Sequence, residues 1–344
     1  MTPERFTELS ERYAKLRIVV VGDFCLDRYL DIDPAKSETS IETGLPVHNV
    51  TGVRSQPGAA GTILGNLVAL GAGTVLPVGF CGEDGEGWEL LRALRKTPRV
   101  KLDAFIQTPQ RRTFSYTKPL VHESGQTPRE LSRLDLKNWT PTPIGVEEQL
   151  LAVLRDVAES ADAIIVMDQV DIPETGVITA RVCQAIGEIS RDLTTLPVLA
   201  DCRRGLGGWP ACIWKMNARE LALLWGVSES DDEAMRAAAG QLALNNRRAL
   251  FVTMAGDGIL GADELGMTVH VPAFPLRGPI DIVGAGDSVS ANLTMALAAG
   301  ATISEAMEIA MAAASIVIHQ IGTTGTATLP EIGGLLFGAG EDSH

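Results

Sequence analysis

Asp281-Ile282-Val283-Gly284-Ala285-Gly286-Asp287-Ser288 puts a carboxylate at the mouth of a glycine-rich turn that opens a helix. The two glycines let the backbone approach an anion closely. The first N–H groups of a helix beginning near Ser288 lack intrahelical partners, at the end where the helix dipole favours negative charge. Such a turn cradles phosphate. A carboxylate there is electrostatically unfavourable unless it does chemistry. As a general base, Asp287 would take the proton from an attacking hydroxyl while Gly284, Ala285 and Gly286 form an anion hole for the transferring phosphoryl group. Taken alone, the turn reads equally well as a helix start with an acid in its first turn.

Around this turn the chain alternates apolar strand-like runs with helical patterns, the mark of an α/β fold with a doubly wound, mostly parallel sheet covered on both faces. Strands are expected at 17–21, 74–78, 163–167, 198–200, 213–216 and 249–253. Helices are expected at 60–70, from about Glu86, after Asn217, and from the capping box Thr302-Ile303-Ser304-Glu305 to about Ile318. The 344 residues and 45% hydrophobic content suffice for one large domain with a sizeable core.

No apolar run approaches the roughly 20 residues that span a bilayer, and the first residues lack a signal pattern, so a cytoplasmic protein without a membrane partner is expected. The net charge of −14 and the lack of a basic block argue against nucleic acid. Five scattered cysteines without a C-x-x-C pair indicate neither a disulfide framework nor a zinc site, and the five histidines, His344 included, show no ligand spacing.

The run from Asp281 to Asp287 resembles the D-[TV]-x-G-A-G-D signature of the ribokinase-like (PfkB) carbohydrate kinases. Other elements follow in the family's order: Gly22-Asp23 through Asp27 near the start, the turn Gln56-Pro57-Gly58-Ala59-Ala60-Gly61, the run from Val78 to Gly87, and Asn217-Ala218-Arg219-Glu220. The resemblance covers about 16–333. It implies one ribokinase-like domain over 1–344, with two polar, β-rich segments, about 30–54 and 105–133, forming a small sheet that closes over the sugar as a lid and allows a homodimer through it.

ATP and Mg2+ are the cofactors implied, with a monovalent cation as an open addition. Asp287 would be the base. Thr253, Gly256 and Gly258 would form the nucleotide loop, although such a turn by itself is a common hairpin. Asn217 and Glu220, at i and i+3, would hold magnesium through water, the alternative being a helix cap. Asp27, expected at the C-terminal end of the first strand, would bind the sugar with Gly58, Thr62 and Asp168. Asp23 would share that job or be structural.

Ser40-Ile41-Glu42, Pro46-Val47 and Arg133-Leu134-Asp135 are similar to lid strands of the heptose 7-phosphate kinases of that family. Many of that branch carry a C-terminal adenylyltransferase domain, and only the kinase half is expected within these 344 residues. Departures fall in the sugar pocket: Ala59 replaces the second glycine, Thr62 an asparagine, Met167-Asp168-Gln169 an S-D-Y element, and Val283 a threonine in the catalytic turn. Transfer of the γ-phosphoryl group of ATP to a sugar or sugar phosphate is therefore expected, a heptose 7-phosphate first. Another sugar or a nucleoside is the alternative acceptor, and a catalytically idle binding relative the alternative class.

Overall fold

The computed structural model describes residues 1–123, 125 and 127–338; His344 lies outside them. Nine strands form one sheet in the order β7 (Phe105–Thr108), β6 (Thr74–Gly82), β1 (Arg17–Gly22), β11 (Ala163–Asp168), β12 (Val198–Cys202), β13 (Ile213–Asn217), β14 (Leu250–Thr253), β15 (Ile259–Ala262) and β16 (Thr268–Val271). From β7 to β14 all neighbours are parallel; β15 and β16 complete an antiparallel edge.

The apolar runs are strands because both faces are buried. In β1, Ile18 and Val20 enter one core layer while Val19 and Val21 enter the other, and all four are fully buried. Helices α1 (Pro3–Tyr13), α2 (Ala60–Ala69), α3 (Gly85–Lys96), α8 (Ala285–Ala298), α9 (Ile303–Val317) and α10 (Leu329–Phe337) cover the first layer. Helices α4 (Ile144–Ala158), α5 (Ala180–Asp192), α6 (Ala218–Trp225) and α7 (Asp232–Asn246) cover the second. Burying each large side chain contributes about 1.5–3 kcal/mol. The Thr302–Glu305 capping box starts α9 as its sequence predicts. No helix among the described residues is long and apolar enough to cross a membrane.

A second sheet stands apart, in the order β10 (Leu134–Leu136), β8 (Phe114–Val121), β2 (Phe24–Ile32) and β5 (Val50–Ala59), with β9 (Arg129–Glu130) on β8. The two-residue strands β3 (Glu38–Thr39) and β4 (Pro46–Val47) pair with each other. Its bounds differ from the expected lid segments. The sheet takes in 24–29 and 55–59 as well, because β2 and β5 stay paired from Phe24–Ala59 outward. By contrast, 105–108 pairs with β6 in the main sheet.

The run from Val78 to Gly87 explains how β8 is aimed. Asp84 caps α3 by accepting the Gly87 N–H at 2.8 Å, and also accepts the Thr113 N–H at 3.0 Å and its hydroxyl at 2.7 Å. The residue before β8 is thus anchored to the start of α3.

Candidate active site

Helix α8 begins at Ala285, three residues earlier than expected, with Gly284 as its N-cap at φ 83°. Glycine is suited to that left-handed position. The Ala285 N–H donates to the Ile282 carbonyl at 3.2 Å and the Ser288 N–H to the Gly284 carbonyl at 2.9 Å. Among the described residues the N–H groups of Gly286 and Asp287 have no partner, and no side chain caps the helix. Two donors are therefore directed at whatever occupies the turn.

Asp287 stands in this first turn, its carboxyl pushed up to about 7. Burial is the main cause and the Asp201 carboxylate adds to it; Lys215 opposes, and Asp27 raises it further. A carboxylate titrating near neutrality is matched to proton abstraction at neutral pH.

Lys215 and Asp201 were not legible as site residues in the sequence. Lys215 Nζ lies 2.7 Å from Asp201 Oδ2, which also accepts from the Ser290 hydroxyl at 3.2 Å. The ammonium is 3.1 Å from where a β-carbon on Gly286 would stand. The signal available was a lone lysine inside the otherwise apolar strand Ile213-Trp214-Lys215-Met216, since such a charge is buried only with a partner.

Asp27 and Asp287 line one cavity of about 220 Å³ between the two sheets. Asp27 lies within β2 of the small sheet, not at the end of β1, because the chain turns at Gly22-Asp23 into a new strand. Burial raises its pKa, against the pull of Lys118 and Arg133. Gly58 does not line the cavity; it pairs with Cys25 across β2, and a β-carbon on it would come 2.5 Å from Asp27 Oδ2. Thr62, from the first turn of α2, does line it.

Four cations complete the cavity: Lys118, Arg133, Lys137 and Arg203. Arg133 is held bidentately by Asp135 at 2.8 and 2.9 Å, and Asp171 bridges Lys137 and Arg203 at 2.8 Å each. Lys118 has no hydrogen bond among the described residues and sits 5.3 Å from the Tyr29 ring centroid. Gln56 of β5 donates to the Thr324 hydroxyl at 2.7 Å, and Thr324 packs against Gly284.

Residues 15–330 match the pfkB family of carbohydrate kinases. The chain belongs to that family. It is thus an ATP-dependent carbohydrate kinase. It is 32% identical to the bifunctional protein HldE of Hyphomonas neptunium, over 98% of this chain and 66% of that one, and 29% identical to HldE of a Bradyrhizobium species, over 92% and 63%. The chain therefore spans less than two thirds of the length of these curated relatives. Its fold is that of Arabidopsis thaliana ribokinase solved with ribose and ATP (TM-score 0.69, 20% identity, 94% of this chain and 99% of that one). Escherichia coli phosphofructokinase-2, solved with substrates and products, gives a TM-score of 0.70 at 17% identity, over 93% and 98%.

The other expected kinase residues are placed as follows. Asp23 faces the scaffold: its carboxylate accepts the N–H groups of Gln169, Val170 and Val177 at 2.9, 3.2 and 2.8 Å. Asp168 is fully buried, bound to Arg204 at 2.6 Å and Cys202 at 3.1 Å, with Oδ1 unpartnered; Gln169 takes the cavity position instead. Neither acid lines the cavity, because Asp23 is turned to backbone N–H groups and Asp168 to Arg204 and Cys202. Thr253 ends β14 beside Asn217, and Gly256 and Gly258 form the tight β14–β15 connection, outside that cavity.

Asn217 and Glu220 close a capping box at the start of α6, with bonds of 2.9 and 2.8 Å. The Glu220 carboxyl is nevertheless raised by burial, with Asp201 adding and Lys215 opposing. Among the described residues no group of three or more His, Cys, Asp or Glu could hold a metal ion. A magnesium ion here would take most of its ligands from phosphate and water, as Mg2+ commonly does.

Proposed function

We propose that this kinase transfers the γ-phosphoryl group of ATP to a hydroxyl of a phosphorylated sugar, a heptose 7-phosphate being the leading acceptor. The observation that carries this reading is the cationic half of the cavity. A neutral polyol needs carboxylates and amides to order its hydroxyls, whereas Lys118, which has no carboxylate partner among the described residues, together with Arg133, Lys137 and Arg203 in the same cavity as Asp27 and Asp287, suits a ligand with a polyol end and an anionic end. The similarity to HldE proteins supports a heptose as the polyol.

In this reading Asp27 orients the acceptor and Asp287 takes the hydroxyl proton. The N–H groups of Gly286 and Asp287, with Lys215 behind them, stabilise negative charge on the phosphoryl oxygens. Thr253, Gly256 and Gly258 border the nucleotide. Glu220 and Asn217, with Asp201 nearby, orient water around magnesium, which supplies neutralisation of phosphate charge. A monovalent cation near the turn stays compatible with this arrangement. Exposed Ile41 and Leu45 in the β3–β4 turn, with Val53 and Leu134 on the small sheet, support a homodimer through the lid, and a cytoplasmic location agrees with ATP as donor.

The test is ADP release measured over matched pairs of free and phosphorylated sugars. The phosphorylated member should be favoured by about 100-fold or more in kcat/KM, and Lys118→Ala should erase most of that preference. Equal or better turnover of free sugars would overturn the assignment.

A further inference from the structure

Ala59 sits at the junction of β5 and α2 with φ 54° and ψ −117°, a left-handed conformation that strains any residue with a β-carbon. Glycine adopts it freely. The preceding Gly58 has the opposite logic: an added β-carbon there would stand 2.5 Å from Asp27 Oδ2 and 2.8 Å from Cys25 Sγ. Space demands glycine at Gly58. At Ala59 the backbone favours glycine, yet the sequence supplies a methyl group.

That residue borders the cavity together with Cys25 and Thr62, in a wall whose other members are mostly charged or polar. Behind it, α2 begins without a side-chain cap. The Ala60 N–H is taken by the Asp23 carbonyl at 3.1 Å, and the Thr62 hydroxyl, which lines the cavity, makes no hydrogen bond among the described residues. A strained apolar group therefore stands beside a free hydroxyl in the wall of the ligand space.

We propose that the Ala59 methyl group determines acceptor specificity: it rejects sugars that direct a hydroxyl at the β5–α2 junction and accepts those that present a C–H edge there. The inference rests on the kinase reading above and adds which face of the acceptor is read. A hydroxyl pointed at the methyl group loses its water without gaining a hydrogen bond and overlaps the β-carbon. With the methyl group removed, the same hydroxyl has room to reach the Thr62 hydroxyl.

A purely structural role is the rival, since Ala59 also packs on the edge of the second core layer. The two differ in sign. Ala59→Gly should hold the melting temperature or raise it by about 1–3 °C, because relief of strain outweighs the added freedom of the unfolded chain. If the methyl group serves packing, the melting temperature falls.

The experiment pairs calorimetry of Ala59→Gly with kcat/KM over sugar phosphates that differ from the best acceptor in one hydroxyl or its configuration. The expected result is a melting temperature no lower than wild type, with the preference over at least one hydroxyl-bearing epimer reduced about tenfold or more. A fall in melting temperature, or an unchanged preference across the panel, overturns the inference. Absence of wild-type turnover on every phosphorylated sugar is a different result: it removes the acceptor reading, and this inference with it.

Discussion

Lys215 and Asp201 hold each other at 2.7 Å across the neighbouring strands β13 and β12, behind the turn that carries Asp287. The pair gives the base one opposing and one reinforcing charge. Burial raises the Asp287 pKa most, Asp201 adds to it and Lys215 opposes, so the pair tunes where this carboxyl titrates.

That balance predicts a pH profile. In the proposed mechanism the deprotonated carboxylate is the active base, so kcat/KM should rise with pH through about 7 and level off above it. Asp201→Asn should move this acid limb to lower pH, and Lys215→Met should move it to higher pH. A profile measured from pH 5.5 to 9 that is unmoved by both changes would detach the pair from the base.

Asp287→Asn should lower turnover by roughly 10²-fold or more, the usual scale for lost general base catalysis, while nucleotide binding persists. It should also be more stable than wild type at pH 8. Raising the folded-state pKa to about 7 makes this acid favour the native state at low pH, an advantage lost as pH rises through that value. Asparagine stays neutral throughout. Steady-state kinetics and melting curves at pH 5 and 8 check both parts.

Glu220→Gln keeps an acceptor for the Asn217 N–H and so preserves the capping box. The expected effect is a several-fold higher magnesium requirement with an unchanged melting temperature. A magnesium titration that overlays wild type would leave Glu220 as a helix cap alone.

Gly58→Ala should raise KM for the acceptor by about tenfold or more and lower the melting temperature. The new β-carbon must push the Asp27 carboxylate and the Cys25 thiol from their places. Kinetics across acceptor concentrations would show the reverse, a normal KM, if Asp27 does not hold the sugar.

The main sheet was readable because β1 and β11 are continuous apolar runs, which only a strand buried on both faces requires. The turn before Asp287 was readable as a helix start because Gly284 and Gly286 leave so few alternatives. The carboxylates were harder. Asp23, Asp27 and Asp168 look alike in one dimension, and only the paths of β2 and β11 decide that Asp27 reaches the cavity while Asp23 takes three backbone N–H groups. The cations Lys118, Arg133, Lys137 and Arg203 come from three separate stretches of chain, and no local pattern announces their convergence.

The Gln56–Thr324 bond has a mechanical corollary. Gln56 lies opposite Asp27 in the β2–β5 pairing, and Thr324 rests on Gly284. A displacement of β5 away from the main sheet therefore pulls first on the loop that backs the phosphate turn. On the proposed reading the acceptor enclosure and the anion hole would then be geared together, so a vacated lid would also loosen the place where a stray water would have to attack ATP.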